Sequence, residues 1–392
     1  MLYAHQQRLI DRNPSKILLA HGTGTGKTIS ALSLAEKNGV QALIICPKAL
    51  KPMWLRHAGS TPLQHVVMTK EEFRKQHKTL KRYNAIIVDE AHHFSGMSSL
   101  LSKALTSYLS THNPQYRWLL TATPFRSTPW NIYRLASYLG YNWNYMSFKH
   151  EYFYDVQMGF RNVPVMRGGM EDSIAQRVRE IGDVVSLQDC IDVPDQTFDV
   201  EYLELTPSQK KGIKALDDTS FIARFTHTHC IENGILDSDG YSDDQVFDCN
   251  KTERILALAS ENKKLAVICR YNSQIEHYKQ ILEKEKYRVF VINGAVKDRD
   301  AVVQQVEGSS ECIVLIQAAC SEGYELPSIG VIVFASLSFS YLDHVQALGR
   351  FLRINKLKKN HYIYLVIKDG YDEDIYNAIM EKKDFDIAIY SK

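Results

Sequence analysis

Several features that would narrow the function of this chain are missing from it. Its seven cysteines, Cys46, Cys190, Cys230, Cys249, Cys269, Cys312 and Cys320, are an odd number and form no C-x-x-C pair. Several lie in apolar, strand-like runs, which fits buried thiols in a reducing compartment. No secretory n-region and h-region opens the sequence. No apolar run approaches the ~18 residues of a membrane span, so a soluble, cytoplasmic protein is expected. An excess of charge of one sign is also absent: 47 basic residues face 45 acidic ones, for a net +2. Binding to a polyanion must therefore use a local basic face, because the global field is weak. There is no internal repeat and no long low-complexity tract. What remains is 392 residues, 45% of them hydrophobic, enough to bury large cores in two or three domains.

Short β-rich runs alternate with helical or loop stretches. "KILLA", "ALIICP", "HVVMT", "AIIVDE" and "WLLTATP" form one set. "LAVICR", "RVFVING", "CIVLIQ", "VIVFAS" and "YIYLVI" form a second, from about residue 265. Strands alternating with helices predict an α/β fold of two lobes, each a mostly parallel sheet with helices on both faces. The boundaries expected are 1–195 and 196–392. Between the two sets, the aromatic-rich stretch of about 140–190 reads as a helical insertion. The Pro-bounded "DVPDQTFDVEYLELTPSQ" reads as a linker, and the Asp-rich "DSDGYSDDQVFD" (237–248) as a solvated loop.

The segment "HGTGTGKT" (21–28) joins an apolar strand-like run to the amphipathic "ISALSLAEK". Glycines at such a junction let backbone N–H groups converge on an anion, and the helix N-terminus adds its positive dipole end. Gly22, Thr23, Gly24, Thr25 and Gly26 are thus candidates to cradle nucleotide phosphates. Lys27 is the candidate for the outer phosphates and Thr28 for a bound Mg2+. The strict pattern G-x-x-x-x-G-K-[ST] asks for glycine at 21, where this chain has His21. A second loaded junction, "AIIVDEAHHF", puts Asp89 and Glu90 just past a buried strand. Mg2+ takes hard oxygen ligands and hydrolysis needs a polarised water, roles suited to Asp89 and Glu90 respectively. The two junctions lie about 60 residues apart in one lobe, and together they favour ATP with Mg2+.

With these residues in place, the chain resembles the superfamily 2 helicases and translocases, specifically the Swi/Snf-like, DEAH-box branch and its small viral relatives. In that family the first loop position varies, which accommodates His21. "LYAHQQ" resembles the Q-type motif, implying that Gln6 reads adenine. "ICPKALKPMW" resembles motif Ia, with Pro47 and Lys48 at the nucleic acid. "VVMTKEEFRK" resembles motif Ib, where Thr69 and Lys70 would meet the backbone. "DEAH" (89–92) is motif II, and "LLTATPFRSTPWNIYRLASYLG" resembles motif III. The resemblance makes His92, Thr121, Ala122 and Thr123 the residues that couple hydrolysis to strand movement. In the second lobe, "CSEGYEL" resembles motif V, implicating Ser321 in nucleic-acid contact and Gly323 and Glu325 at the nucleotide. Arg270 is a further nucleic-acid candidate. "QALGRFLR" (346–353) resembles motif VI, with Gln346 catalytic and Arg350 and Arg353 as arginine fingers. Positions i and i+3 share a helix face, so both guanidinium groups are expected to reach a cleft between the lobes where ATP binds.

Other signals carry less. The Asp-rich loop imitates a calcium site but has Tyr241 and Ser242 where a ligand and a glycine belong. "HTHC" (227–230) lacks a second ligand pair and reads as a helix with its polar face outward. Lys70, Arg74, Lys75, Lys78, Lys81 and Arg82 form a basic segment, either a solvated face or a phosphate contact. The function expected is an ATP-dependent nucleic-acid motor that is monomeric and acts on duplex or branched DNA, with RNA still open. The alternatives are a conventional strand-separating DNA or RNA helicase that uses Phe153, Tyr154 or nearby aromatics as a pin, a nucleotide switch or scaffold, or the motor subunit of a larger restriction, nuclease or transcription-linked complex.

Overall fold

A computed structural model describes residues 2–22, 24–125, 128–158, 161–185, 196–217, 220–236, 245–321, 324–352 and 359–381. The chain divides into two compact units, Met1–Asp192 and Val193–Lys392. Among the described residues, no helix is long and apolar enough to cross a membrane.

The first unit has strands Lys16–His21 (β1), Ala42–Cys46 (β2), Val66–Thr69 (β3), Ala85–Val88 (β4), Tyr116–Leu120 (β5), Phe153–Met158 (β6), Arg161–Met166 (β7) and Gly182–Val185 (β8). Its main sheet runs β3-β2-β4-β5-β1-β8, with every pairing parallel. The apolar runs are the reason: β2 and β4 are buried along their whole length, as strands covered on both faces must be. One face packs Leu18, Leu43, Ile45, Ile86 and Leu119 into a core with the helices Leu100–His112 and Trp130–Leu139. The other packs Leu19, Ile44, Ile87 and Leu120 against Leu34 and Trp54. Because all these strands run the same way, their C-terminal ends, at His21, Cys46, Thr69, Val88 and Leu120, line one edge.

The second unit has strands Gln196–Leu203 (β9), Ile235–Leu236 (β10), Gln245–Val246 (β11), Lys264–Cys269 (β12), Val289–Ile292 (β13), Cys312–Gln317 (β14), Val331–Phe334 (β15) and Asn360–Ile367 (β16). Its sheet is ordered β13-β14-β12-β15-β16-β9 and is again parallel throughout.

Three sequence expectations change. The insertion is helical at Tyr145–Tyr152 and Glu171–Ile181, but between them β6 and β7 form an antiparallel hairpin. The chain then returns as β8 to the edge of the sheet beside β1. A Cβ at Gly182 would lie 2.7 Å from the Leu18 carbonyl oxygen, so the close approach of β8 to β1 requires glycine. The expected linker contains β9, which pairs with β16 over its whole length. Its pattern hides the strand because an edge strand has one neighbour only: Phe198 stays half exposed and stacks on Tyr362 at 5.0 Å. Finally, "HTHC" does lie on a helix, Phe221–Glu232, but His229 and Cys230 point into the core and are buried. Residues 237–244 of the Asp-rich loop lie outside the described residues.

Candidate nucleotide site

The candidate phosphate loop leaves β1 at His21 and enters the helix Lys27–Lys37. Gly24 and Gly26 have φ of +78° and +80°, the left-handed region that glycine enters without a Cβ penalty. A Cβ at Gly26 would also come within 2.5 Å of the Gln6 amide nitrogen. Thr25 is buried, and its hydroxyl donates to the Gly22 carbonyl at 2.8 Å. The Lys27 ammonium donates to the carbonyls of His21 (2.8 Å) and Gly22 (3.0 Å), which holds it over the loop. Gln6 is turned onto this loop: its Nε2 donates to the Gly26 carbonyl and its Oε1 accepts the Tyr3 N–H. The adenine-reading role expected of Gln6 therefore competes with a loop-supporting one.

His21 occupies the position where a strict phosphate loop has glycine, and it is fully buried. Its Nε2–H donates to Asp183 Oδ2 at 2.8 Å, while the His5 ring packs edge-on at 5.7 Å and donates to the Thr25 carbonyl. Burial pushes the Asp183 carboxyl up, but the His21 bond, with Arg12 and Arg8 nearby, outweighs it and holds the group below the usual carboxylate range. Burial holds the His5 imidazole below its ordinary value. Asp183 lies on β8, at the far end of the insertion, so the insertion returns to brace the start of the candidate loop.

Asp89 follows β4 and is almost entirely buried. Its Oδ2 accepts the Trp54 indole N–H at 2.7 Å and its Oδ1 accepts the Glu90 backbone N–H at 3.0 Å. Burial and the neighbouring Glu90 push this carboxyl upward, against Trp54 and the nearby Lys27 ammonium. Glu90 sits at φ +46°, a left-handed conformation that costs a non-glycine residue on the order of 1 kcal/mol. Such strain is concentrated at functional sites. His92 Nδ1 lies 3.2 Å from Glu90 Oε2 and 3.1 Å from Thr121 Oγ1. Thr121 in turn accepts the Thr123 N–H at 3.1 Å, so the turn through Ala122 is tied to the DEAH segment.

The donor set fits Mg-ATP. Glycines in left-handed conformation and an ammonium held at the loop suit phosphates, while the Thr28 hydroxyl and the Asp89 carboxylate are hard oxygens suited to Mg2+. Each Asp89 oxygen accepts one hydrogen bond and keeps acceptor capacity.

The expected polymer contacts divide. Lys48 is exposed on the turn Lys48–Leu50, Pro47 beside it is buried, and Lys70 is half-buried. Thr69 is buried, and its hydroxyl caps the helix Lys70–Gln76 by accepting the Glu72 N–H. In the second unit, Arg270 lies at the end of β12 with its guanidinium 3.5 Å from the centre of the Phe339 ring. Ser321 is buried and Glu325 half-buried. Gln346 is buried on the helix Tyr341–Gly349. Arg350 caps that helix and donates to the carbonyls of Gln346 (3.1 Å) and Tyr324 (3.0 Å). The helix ends at Gly349, and Phe351 turns into the core. Thr23, Gly323 and Arg353 lie outside the described residues.

The first unit thus carries, on one parallel sheet, a glycine-rich candidate phosphate loop, a DEAH segment and a threonine tied to it. Residues 60–267 match the SNF2-related domain and residues 249–355 the helicase conserved C-terminal domain. The first match spans more than half of the chain, which belongs to the SNF2-related family. Neither match reaches the loop at 21–28, whose assignment rests on its geometry. A probable chromatin-remodeling complex ATPase chain from Oryza sativa subsp. japonica is 29% identical over 157 residues, 31% of this chain and 14% of that one. The DNA repair protein RAD5 of Gibberella zeae is 41% identical over 68 residues, 17% of this chain and 6% of that one. The chain thus spans only a small part of the length of these relatives. The Hef helicase domain of Pyrococcus furiosus has the same fold, with a TM-score of 0.55 at 14% identity, over 96% of this chain and 98% of that domain.

Proposed function

We propose that this chain hydrolyses Mg-ATP to move along duplex or branched DNA, remodelling the duplex more than separating its strands. The observation that carries the motor reading is the Glu90–His92–Thr121 connection. It joins the residue placed to polarise water to the turn after β5, and a protein that only bound nucleotide would need no such link. Lys27 and the loop N–H groups hold the phosphates, Thr28 and Asp89 hold the metal, Glu90 accepts the proton of the attacking water, and Arg350 stabilises the transition state. Bound Mg2+ would neutralise charge developing on the phosphoryl oxygens. The DEAH quartet and a kinship with small viral motors belong to this proposal, as do a monomeric state and a cytoplasmic setting.

The preference for duplex DNA draws support from the names of the relatives, one a chromatin-remodeling ATPase and one a DNA repair protein. Of the insertion aromatics considered as a strand-splitting pin, Phe153 is buried and stacked on Trp130 at 4.7 Å, while Tyr154 is exposed at the base of the hairpin and the nearby Tyr141 and Tyr145 are exposed too.

The test compares triplex displacement with forked-duplex unwinding, alongside ATPase rates with no polymer, single-stranded DNA, duplex DNA and RNA. Duplex-stimulated hydrolysis with triplex displacement is expected, falling steeply with salt as phosphate contacts release counterions. Efficient fork opening without triplex displacement would overturn the duplex-tracking reading.

A further inference from the structure

Trp54 has no role in the proposal above, yet it makes the shortest hydrogen bond to the carboxylate assigned to the metal. It lies on the helix Lys51–Gly59, is fully buried, and packs in the core with Ile44, Leu120 and Leu34. An indole N–H is a donor only, and once buried it needs an acceptor. Here the acceptor is Asp89 Oδ2 at 2.7 Å, 35 residues along the chain. The other oxygen, Oδ1, is fixed by the Glu90 N–H. The carboxylate plane is therefore set from two sides, one within its own turn and one from a rigid ring. Rotating it would break a charge-assisted bond in a site with little water to replace it.

The same helix is anchored at its start. Lys51 donates to both oxygens of Glu72, at 2.8 and 2.7 Å, and Glu72 closes the capping box of the helix Lys70–Gln76. Glu72 is held below the usual carboxylate range by Lys51 and by the Thr69 N–H, which keeps this anchor charged. The segments carrying Lys48 and Lys70 are thus fastened to one another and, through the indole, to Asp89.

We propose that Trp54 is the positioning residue of the metal-binding carboxylate: its N–H fixes the direction in which Asp89 presents an oxygen to a divalent cation. This rests on the reading of Asp89 as a metal ligand. A tryptophan that merely filled the core would stabilise the unit without altering metal affinity, and the experiment separates the two. Mn2+ is titrated into the full chain saturated with ADP, with free Mn2+ read by electron paramagnetic resonance. Wild type, Trp54→Phe, Asp89→Asn and the double variant are compared, together with a chain in which Trp54 is replaced by the tryptophan analogue carrying sulfur for N–H. Groups that orient metal ligands are worth about 10- to 100-fold in affinity. Trp54→Phe and the sulfur analogue should therefore weaken Mn2+ binding about tenfold, with ADP affinity in EDTA unchanged. Trp54→Phe should add nothing in the Asp89→Asn background. The sulfur analogue keeps the shape of the ring, so it decides the matter if Trp54→Phe packs poorly. Wild-type Mn2+ affinity in the sulfur analogue, with binding lost in Asp89→Asn, overturns the positioning role alone. Unchanged affinity in Asp89→Asn itself overturns the metal assignment and this inference with it.

Discussion

Replacing Asp183 with alanine should loosen the phosphate loop from a distance. In the native chain His21 is fully buried and Asp183 nearly so, with side-chain exposures of 0% and 11%, and their bond is 2.8 Å long. A hydrogen bond involving a charged group contributes roughly 1.5–3 kcal/mol net, and little solvent is present to screen this one. The Arg12 contact to the same carboxylate, at 3.8 Å from a half-exposed side chain, adds little. The unit should therefore lose about 2 kcal/mol, a drop of roughly 4–8 °C in Tm for a unit of this size. The carbonyl of His21 is also one of the acceptors that hold Lys27. If about 1.4 kcal/mol of the loss is felt by the loop, affinity for a non-hydrolysable ATP analogue falls about tenfold.

The pH dependence has a definite sign. Asp183 is held below its ordinary value, so its contribution is present above the usual carboxylate range and is lost as pH falls through its folded value. His5 is also held low, so below about pH 6.5 the unfolded chain takes a proton that the folded one refuses. Both losses lie on the acid side. The stability gap between wild type and Asp183→Ala should shrink only below the usual carboxylate range, where Asp183 is protonated in both states. Asp183→Asn keeps an acceptor oxygen for the His21 N–H and should recover most of the loss. Thermal melts and calorimetric titrations across pH 3–8 provide the assay. Unchanged melting and unchanged nucleotide affinity in Asp183→Ala would refute the brace.

Three further outcomes are expected. Lys27→Ala should weaken nucleotide binding and abolish turnover, whereas Glu90→Gln should keep ATP bound and lose most of the rate; wild-type turnover in Glu90→Gln would remove Glu90 from the base role. Arg350→Ala should bind ATP nearly normally and hydrolyse it on the order of 10³-fold more slowly, because the loss falls on the transition state; full polymer-stimulated activity would refute the finger. The second unit should become less stable in urea as pH rises from the ordinary glutamate range to about 8, and should level off above it. Burial and the adjacent Asp372 push Glu232 up to about 8, against two backbone N–H groups. An acid raised in this way loses its contribution as pH climbs, by up to about 1.4 kcal/mol per unit, and a flat profile would show that Glu232 is ionised throughout.

The parts of the site that were legible in the sequence are those written locally. The phosphate loop needs glycines within a few residues of a lysine and a helix start, and the DEAH turn needs two carboxylates just after a buried strand. Both patterns are contiguous, and the parallel sheet brings them to one edge. The hairpin and β8 were missed because aromatic density in 140–190 hid short strands whose partners lie elsewhere. Residues that act on the site through others were hidden for the same reason. His21 and Asp183 are 162 positions apart, and nothing around "GDVV" distinguishes a brace from a surface turn. Trp54 stood within the motif Ia segment, but a buried indole is ordinarily core, and only its partner gives it a further meaning.

The helix containing "HTHC" shows why polar residues in a helical pattern were misassigned. Assigning the polar face to solvent assumes that no partner can repay burial. Here Lys251, fully buried, donates to Asp372 at 2.8 Å, to Asn233 at 2.8 Å and to the Ala335 carbonyl at 2.6 Å. Asp372 also lies 3.3 Å from His229, which reaches the Tyr271 hydroxyl at 2.6 Å. Burial opposes ionisation of Asp372, but Lys251 and His229 overcome it and hold the carboxyl well below its usual range. Such a network is weak as a source of net stability, since each ion surrenders its hydration, but it is costly to break because the survivor is left uncompensated. It therefore selects one arrangement of the helices Phe221–Glu232, Asn250–Glu261 and Tyr371–Met380 over slipped alternatives that an apolar interface would tolerate. Arg270 and Tyr271 follow directly on β12, and Tyr271 is a member of the network, so the position of a residue proposed to touch DNA is tied to charges 121 residues apart in the chain.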